Sequence, residues 1–106
     1  NAEAQYRVAI MFQNGLGLVA NEAQAFAWLQ RAAEQNHGLA QHGLGCCYLA
    51  GQGTVNDDEA AVYWFQRAAE HDLAAAQPAL AELYEQGRGV PIDLAKANRL
   101  YRQAGF

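Results

Sequence analysis

Gly51-Gln-Gly-Thr-Val55 returns twice in this chain, as Gly15-Leu-Gly-Leu-Val19 and as Gly87-Arg-Gly-Val-Pro91. From Gly15 to Gly51 and from Gly51 to Gly87 the spacing is 36 residues, and Gly17, Gly53 and Gly89 keep the same step. Self-similarity at one fixed period marks a repeat array, in which each unit buries its apolar face against its neighbours. Three copies follow, over residues 1–36, 37–72 and 73–106.

On the N-terminal side of each glycine pair lies a helix-period pattern. Ala4-Gln5, Ala40-Gln41 and Ala76-Gln77 open it, and Val8, Met11, Phe12 recur as Leu44, Cys47, Tyr48 and as Leu80, Leu83, Tyr84. Apolar residues at i, i+3, i+4 form one stripe of an amphipathic helix. Ala9, Gly45 and Ala81 keep that stripe small at one point, which predicts a second helix packed close against it. The first glycine of each pair ends the helix, since a residue past the last turn closes it best in the left-handed conformation.

Beyond the pair, Asn21, Asp57 and Asp93 predict N-caps, and Asn21 with Gln24 has capping-box spacing. Glu22, Asp58 and Glu59 suit the positive end of a helix dipole. The second stripe runs Ala25, Trp28, Leu29, Ala32, then Ala61, Trp64, Phe65, Ala68, then Ala97, Leu100, Tyr101, Ala104. Trp28 and Trp64 are the largest apolar groups available to fill the groove between paired helices. Asn36 and Asp72 end the second helices at left-handed turn positions. Pro78 falls near the start of the fifth helix, where its missing N–H costs little. The reading is all-α: six helices of roughly 12–14 residues in three antiparallel hairpins, stacked as an α-solenoid.

Those residues carry a resemblance. Ala40-Gln41, Leu44-Gly45, Tyr48, Gly51-Gln-Gly-Thr-Val55, Asp57, and Ala61, Trp64-Phe65, Arg67-Ala-Ala-Glu70 together resemble the Sel-1-like repeat family. The likeness covers essentially the whole chain. Tetratricopeptide repeats are related but run at 34 residues and lack the paired glycines. The resemblance implies right-handed stacking of helix pairs and a concave groove lined by the first helices. It also implies adaptor roles in multi-protein assemblies, many of them bacterial, without fixing a compartment. Copy three departs from the pattern, with Leu100 for Trp and Ala104-Gly105-Phe106 at its end. Phe26, Ala27, Gln30 and Val62, Tyr63, Gln66 become Asn98, Arg99, Arg102. This reads either as a solvent-facing cap or as an ordinary exposed convex face.

Composition narrows the function classes. Seven Lys and Arg against eleven Asp and Glu give a formal charge of −4. A nucleic-acid backbone binder needs clustered cations, so that class is disfavoured. At 52% hydrophobic residues the chain is not a disordered tail. No apolar run approaches the ~20 residues of a membrane span. The start at Asn1 reads as an excised or processed piece of a longer chain. Cys46 and Cys47 are neighbours whose side chains diverge by about 100° on a helix, so they are not a disulfide framework.

His42 and Cys46 share a helix face, which would suit two corners of a zinc site or a Cys–His nucleophile. Only His37 or His71 stands in reach as a further ligand, and no orienting group or oxyanion loop is identifiable. Some relatives in the resembled family bind or hydrolyse β-lactams, but this chain lacks Ser-x-x-Lys. The glycine pairs lack the third Gly and the Lys of phosphate loops. No cofactor is expected, and a hydrolase or metal protein is the weakest reading.

What remains is a surface. By the resemblance, the first helices line the groove with Tyr6, Ile10 and Gln13, then His42, Cys46 and Leu49, then Pro78, Glu82 and Glu85. It is apolar at one end and acidic at the other. The expected function is a non-enzymatic interaction module that holds a protein or peptide, with a basic segment matching Glu82 and Glu85. The alternative is a structural spacer or self-assembly segment of a longer solenoid, with Phe26, Val62 and Tyr63 as the self-association face.

Overall fold

A computed structural model describes residues 1–15, 21–71 and 74–105. Among them are six helices and no strand: α1 (Ala2–Asn14), α2 (Glu22–Glu34), α3 (Gly38–Ala50), α4 (Asp58–Glu70), α5 (Ala76–Gln86) and α6 (Leu94–Gln103). Each helix packs on the next, α1 on α2, α3 on α4 and α5 on α6 within pairs, and α2 on α3 and α4 on α5 between pairs. The assembly measures 44 × 25 × 21 Å.

The punctuation falls where the sequence put it. Gly15, Gly51 and Gly87 all close their helices in the left-handed region, each donating its N–H back to the helix, to Met11, Cys47 and Leu83. Asn21, Asp57 and Asp93 cap α2, α4 and α6 through side-chain oxygens that accept from Gln24, Ala60 and Lys96. Only half of the capping box forms, because the Asn21 N–H donates instead to the Phe12 carbonyl at 2.9 Å. Asp57 to Tyr48 and Asp93 to Tyr84 repeat that bond one period on. It ties the start of every second helix to the end of its partner. Asn36 is left-handed at φ 64. The readings for Gly17 and Asp72 lie outside the described residues.

Helices α1 to α4 have 13 residues each, but α5 has 11 and α6 has 10, shorter than the sequence predicts. Asn1 and His37 cap α1 and α3 through their side chains. One period later the sequence offers Leu73, which has no acceptor. Helix α5 accordingly starts at Ala76 without a side-chain cap. Pro78 is then its third residue, where the missing donor is tolerated.

Packing follows the two stripes. Ala9, Leu29, Ala32, Ala33, Ala40, Leu44 and Cys47 form one buried cluster, and Ala61, Val62, Phe65, Leu80, Ala81, Leu83, Ala97 and Leu100 form the other. Gly45 lies under Phe65, where an added Cβ would stand 2.9 Å from the ring. The close approach predicted for the small residues is therefore made by Phe65, not by tryptophan. Trp28 and Trp64 are half-buried, and both pack against the edge of the cluster that joins the first pair to α3. In the first helix Met11 is 39% exposed, whereas Cys47 and Leu83 at the same register are 2% exposed. Those two pack against a preceding pair, and none stands before Met11 in this structure.

Gly53 and Gly89 hold successive pairs together. A Cβ on Gly53 would run into the Glu22 carbonyl, and one on Gly89 would stand 2.5 Å from the Asp58 carbonyl. Gly53 and Gly89 thus each let a turn rest on the first turn of the previous second helix. Side chains add to this joint. Arg88 meets Asp58 at 3.0 Å across it, while within the second pair the Asn56 amide ties the turn to α3 by donating to the Tyr48 and Leu49 carbonyls.

Candidate interaction surface

The expected surface residues sit at matching registers on α1, α3 and α5. Gln13, Cys46, Glu82 and Glu85 are exposed, while Tyr6, Ile10, His42, Leu49 and Pro78 are half-buried. Several of the half-buried ones have work inside the chain. Tyr6 lies against His37 with ring centroids 4.9 Å apart, and His42 meets Phe65 edge-on at 5.3 Å. Leu49 packs against the second cluster. Ile10 belongs to neither cluster, which leaves its exposed half as open apolar surface. At the acidic end, Glu85 accepts a hydrogen bond from the Tyr101 hydroxyl at 2.8 Å. That bond holds the Tyr101 phenol above its ordinary pKa, the carboxylate being close by. Glu82 forms no ion pair among the described residues.

The chemistry-bearing side chains are occupied otherwise. His37 Nδ1 accepts from the Ala40 N–H at 3.2 Å, so the proton of the neutral ring sits on Nε2 and is donated to Glu3 at 2.7 Å. That hydrogen bond, with Arg7 beside it, lowers the Glu3 pKa. Burial pushes the His42 imidazole down and the Cys46 thiol up, favouring the neutral form of each. Cys47, buried, is pushed up to about 11 by desolvation first and by its neighbours Cys46 and Glu22 next. A low thiol pKa is what activates a nucleophilic cysteine. These environments act in the opposite direction. Both cysteines are free thiols, and no group of three His, Cys, Asp or Glu among the described residues is arranged to hold a metal ion.

The self-association patch does not form as one surface. Val62 is 7% exposed within the second cluster, and Phe26 stacks edge-on against Tyr48 at 5.4 Å. Both are covered by the following pair. Tyr63 alone is exposed, with Arg67 donating to its hydroxyl at 3.2 Å. Asn98, Arg99 and Arg102, the third-copy counterparts, are exposed. No helix among the described residues is long and apolar enough to cross a membrane.

Two features escaped the sequence reading. One is a polar cleft of about 270 Å³ lined by Gln13, Asn14, Glu22, Ala25, Cys47 and Gln52. Glu22 and Gln52 stand there where Asp58 and Arg88 pair one period later. Gln52 is neutral and forms no such ion pair with Glu22, and both side chains line the cleft. The signal was available in the Gln-for-Arg difference between Gly-Gln-Gly and Gly-Arg-Gly. The other is a hollow between α4 and α6, described below.

Comparison with known proteins agrees with this architecture. No curated protein sequence matches. Among solved structures, a Sel1 repeat protein from Oxalobacter formigenes superposes with a TM-score of 0.95 at 34% identity, over 98% of this chain and 43% of that one. The protective antigen c5321 of uropathogenic Escherichia coli strains, which displays an SLR fold, gives 0.96 at 33%, over 97% of this chain and 22% of that one. The chain thus spans less than half the length of either. Helicobacter pylori cysteine rich protein B shares the fold at a TM-score of 0.80 and 21% identity, over 97% of this chain and 80% of that one. The Sel1 repeat matches three times in succession, over residues 2–37, 38–73 and 74–105, and the chain belongs to the Sel1 repeat family.

Proposed function

We propose that this chain is a non-enzymatic interaction module that takes a protein or peptide segment along the faces of α1, α3 and α5. Sel1 repeats are in general protein-interaction modules. One observation carries the finer reading. Ile10, Cys46 and Glu82 occupy one register on the three helices, and each offers surface that the core does not use. The row runs from an apolar anchor point to a carboxylate, with Glu85 beside it. Such a face fits a segment with an apolar residue at one end and Lys or Arg at the other. Stacked helices present the face already ordered, so little conformational entropy is lost on binding.

The test compares Ile10→Asp and Glu82→Lys with the parent in affinity capture from the source cell, with helix content checked by circular dichroism. Both variants should stay folded and lose the captured partner. Full retention in both, with folding intact, removes this face from consideration.

A further inference from the structure

The third copy carries Leu100 where the second has Trp64, and the structure shows what that exchange leaves behind. Trp64 packs against the buried cluster that joins the first pair to α3 and includes Ala33 and Leu44. One period on, the equivalents Ala69, Leu80 and Leu100 floor a hollow of about 200 Å³ between α4 and α6. Leucine does not reach where the indole reached. The hollow shares Lys96, Leu100 and Gln103 with a second one, of about 220 Å³, which Arg99 also lines. Small-molecule sites usually enclose ~300–1,000 Å³, so each hollow suits a side chain better than a free ligand.

Charge selects the kind of segment. Helix α6 contains Lys96, Arg99 and Arg102 and no acidic residue, which places three of the chain's seven cations on one short helix. Elsewhere cations are engaged: Arg7 with Glu3, Arg88 with Asp58, Arg31 over Trp28, and Arg67 with Asn36 and the Trp64 ring. Lys96 lies over the Tyr84 ring at 4.7 Å. Arg99 and Arg102 are exposed, and their side chains make no ion pair or hydrogen bond among the described residues. Glu70 on the α4 rim is the acidic group lining the hollow. In a chain of net charge −4, this is a local reversal of sign.

We infer that the α4–α6 face is a second docking site, for an acidic protein segment whose aromatic side chain enters the hollow above Leu80 and Leu100. The anchor supplies the apolar contact that Trp64 makes in the pair before, and the flanking carboxylates meet Arg99 and Arg102. Apolar anchors ringed by charge are the arrangement that concentrates binding energy and orients the partner. This site is separate from the α1–α3–α5 face, and neither reading depends on the other.

The probe is a fluorescently labelled peptide Glu-Asp-Trp-Asp-Glu, compared with its Trp→Ala and Lys-flanked counterparts, by anisotropy and by NMR of the Gln77 and Gln103 side-chain amides. The acidic Trp peptide should bind, shift both amides, and weaken as salt rises. Leu100→Trp should fill the hollow and cut affinity roughly tenfold or more. The exposed double variant Arg99→Glu with Arg102→Glu, which leaves the core untouched, should weaken binding by about tenfold. Binding unchanged in both variants, equal binding of the Lys-flanked peptide, or no amide shift would overturn the proposal. Arg-dependent binding to phosphatidylserine vesicles in preference to the peptide would also overturn it, by assigning the cations to a lipid surface.

Discussion

Gly51 and Gly53 are two residues apart, share a left-handed backbone, and differ in what stands next to them. Their substitution separates the cost of conformation from the cost of stacking. At Gly51, φ is +70 and an added Cβ would meet the Asn56 backbone nitrogen at an ordinary 3.5 Å. Gly51→Ala should therefore cost only the left-handed penalty of about 1–2 kcal/mol. A stiffer unfolded chain offsets ~0.4–1 kcal/mol of that. At Gly53, φ is +74, so the conformational term is the same. The Cβ there would also run into the Glu22 carbonyl and lie 2.9 Å from the Phe26 Cβ. The Glu22 carbonyl cannot easily withdraw, because Asn21 fixes that turn through bonds to Gln24 and Phe12. Forcing a packed joint apart adds about 1–3 kcal/mol. Gly53→Ala should thus be less stable than Gly51→Ala by about that increment, in a chain whose whole stability is ~5–15 kcal/mol. Urea unfolding followed at 222 nm measures the gap, and a lower m-value in Gly53→Ala would show the pairs uncoupling. Equal midpoints for the two variants would mean that the second glycine is not a stacking contact, and the account of how repeats join would fail.

Within α3, Gly45→Ala should destabilise by about 1–2 kcal/mol, since overpacking the Phe65 ring outweighs a propensity gain of about 1 kcal/mol. Gly43→Ala, whose Cβ would meet only the Leu29 methyl groups, the nearer at 3.3 Å, should cost less than Gly45→Ala or be neutral, and thermal melts of the two should move apart. The folded-state pKa of Glu3 is lowered, so its stabilising effect is present above the ordinary carboxylate value of 4.5 and is lost as pH falls below it. Glu3→Gln should flatten that acid limb in urea midpoints taken across the range, and an unchanged slope would refute the Glu3–His37 contribution. Thiol titration should find Cys46 reacting in the folded protein and Cys47 only on unfolding, because burial holds the Cys47 thiol at about 11. Equal rates for the two in the native state would contradict its burial.

The parts legible in the sequence are those set by local chemistry repeated three times. A glycine after a helix, an Asx before one and an apolar stripe each act within a few residues, and a 36-residue period confirms each reading against two other copies. What the sequence hid depends on neighbours in the stack. Trp28 and Trp64 look like core by size, yet Leu29 and Phe65 beside them are the buried residues, and both indoles lie half-buried at the edge of the first cluster. Helical periodicity alone does not distinguish those two directions, about 100° apart on one helix. Phe26 and Val62 look exposed for the same reason, and the following pair covers them. Asn98 at that register is polar and exposed. The exchange of Trp for Leu100 is visible as a departure from the repeat, but its consequence is not, because a hollow is made by what a smaller side chain fails to reach. In a repeat array the informative positions for binding are therefore the ones where a copy breaks the consensus at a stacking residue, and here Leu100 and Gln52 each line a cavity beside a joint.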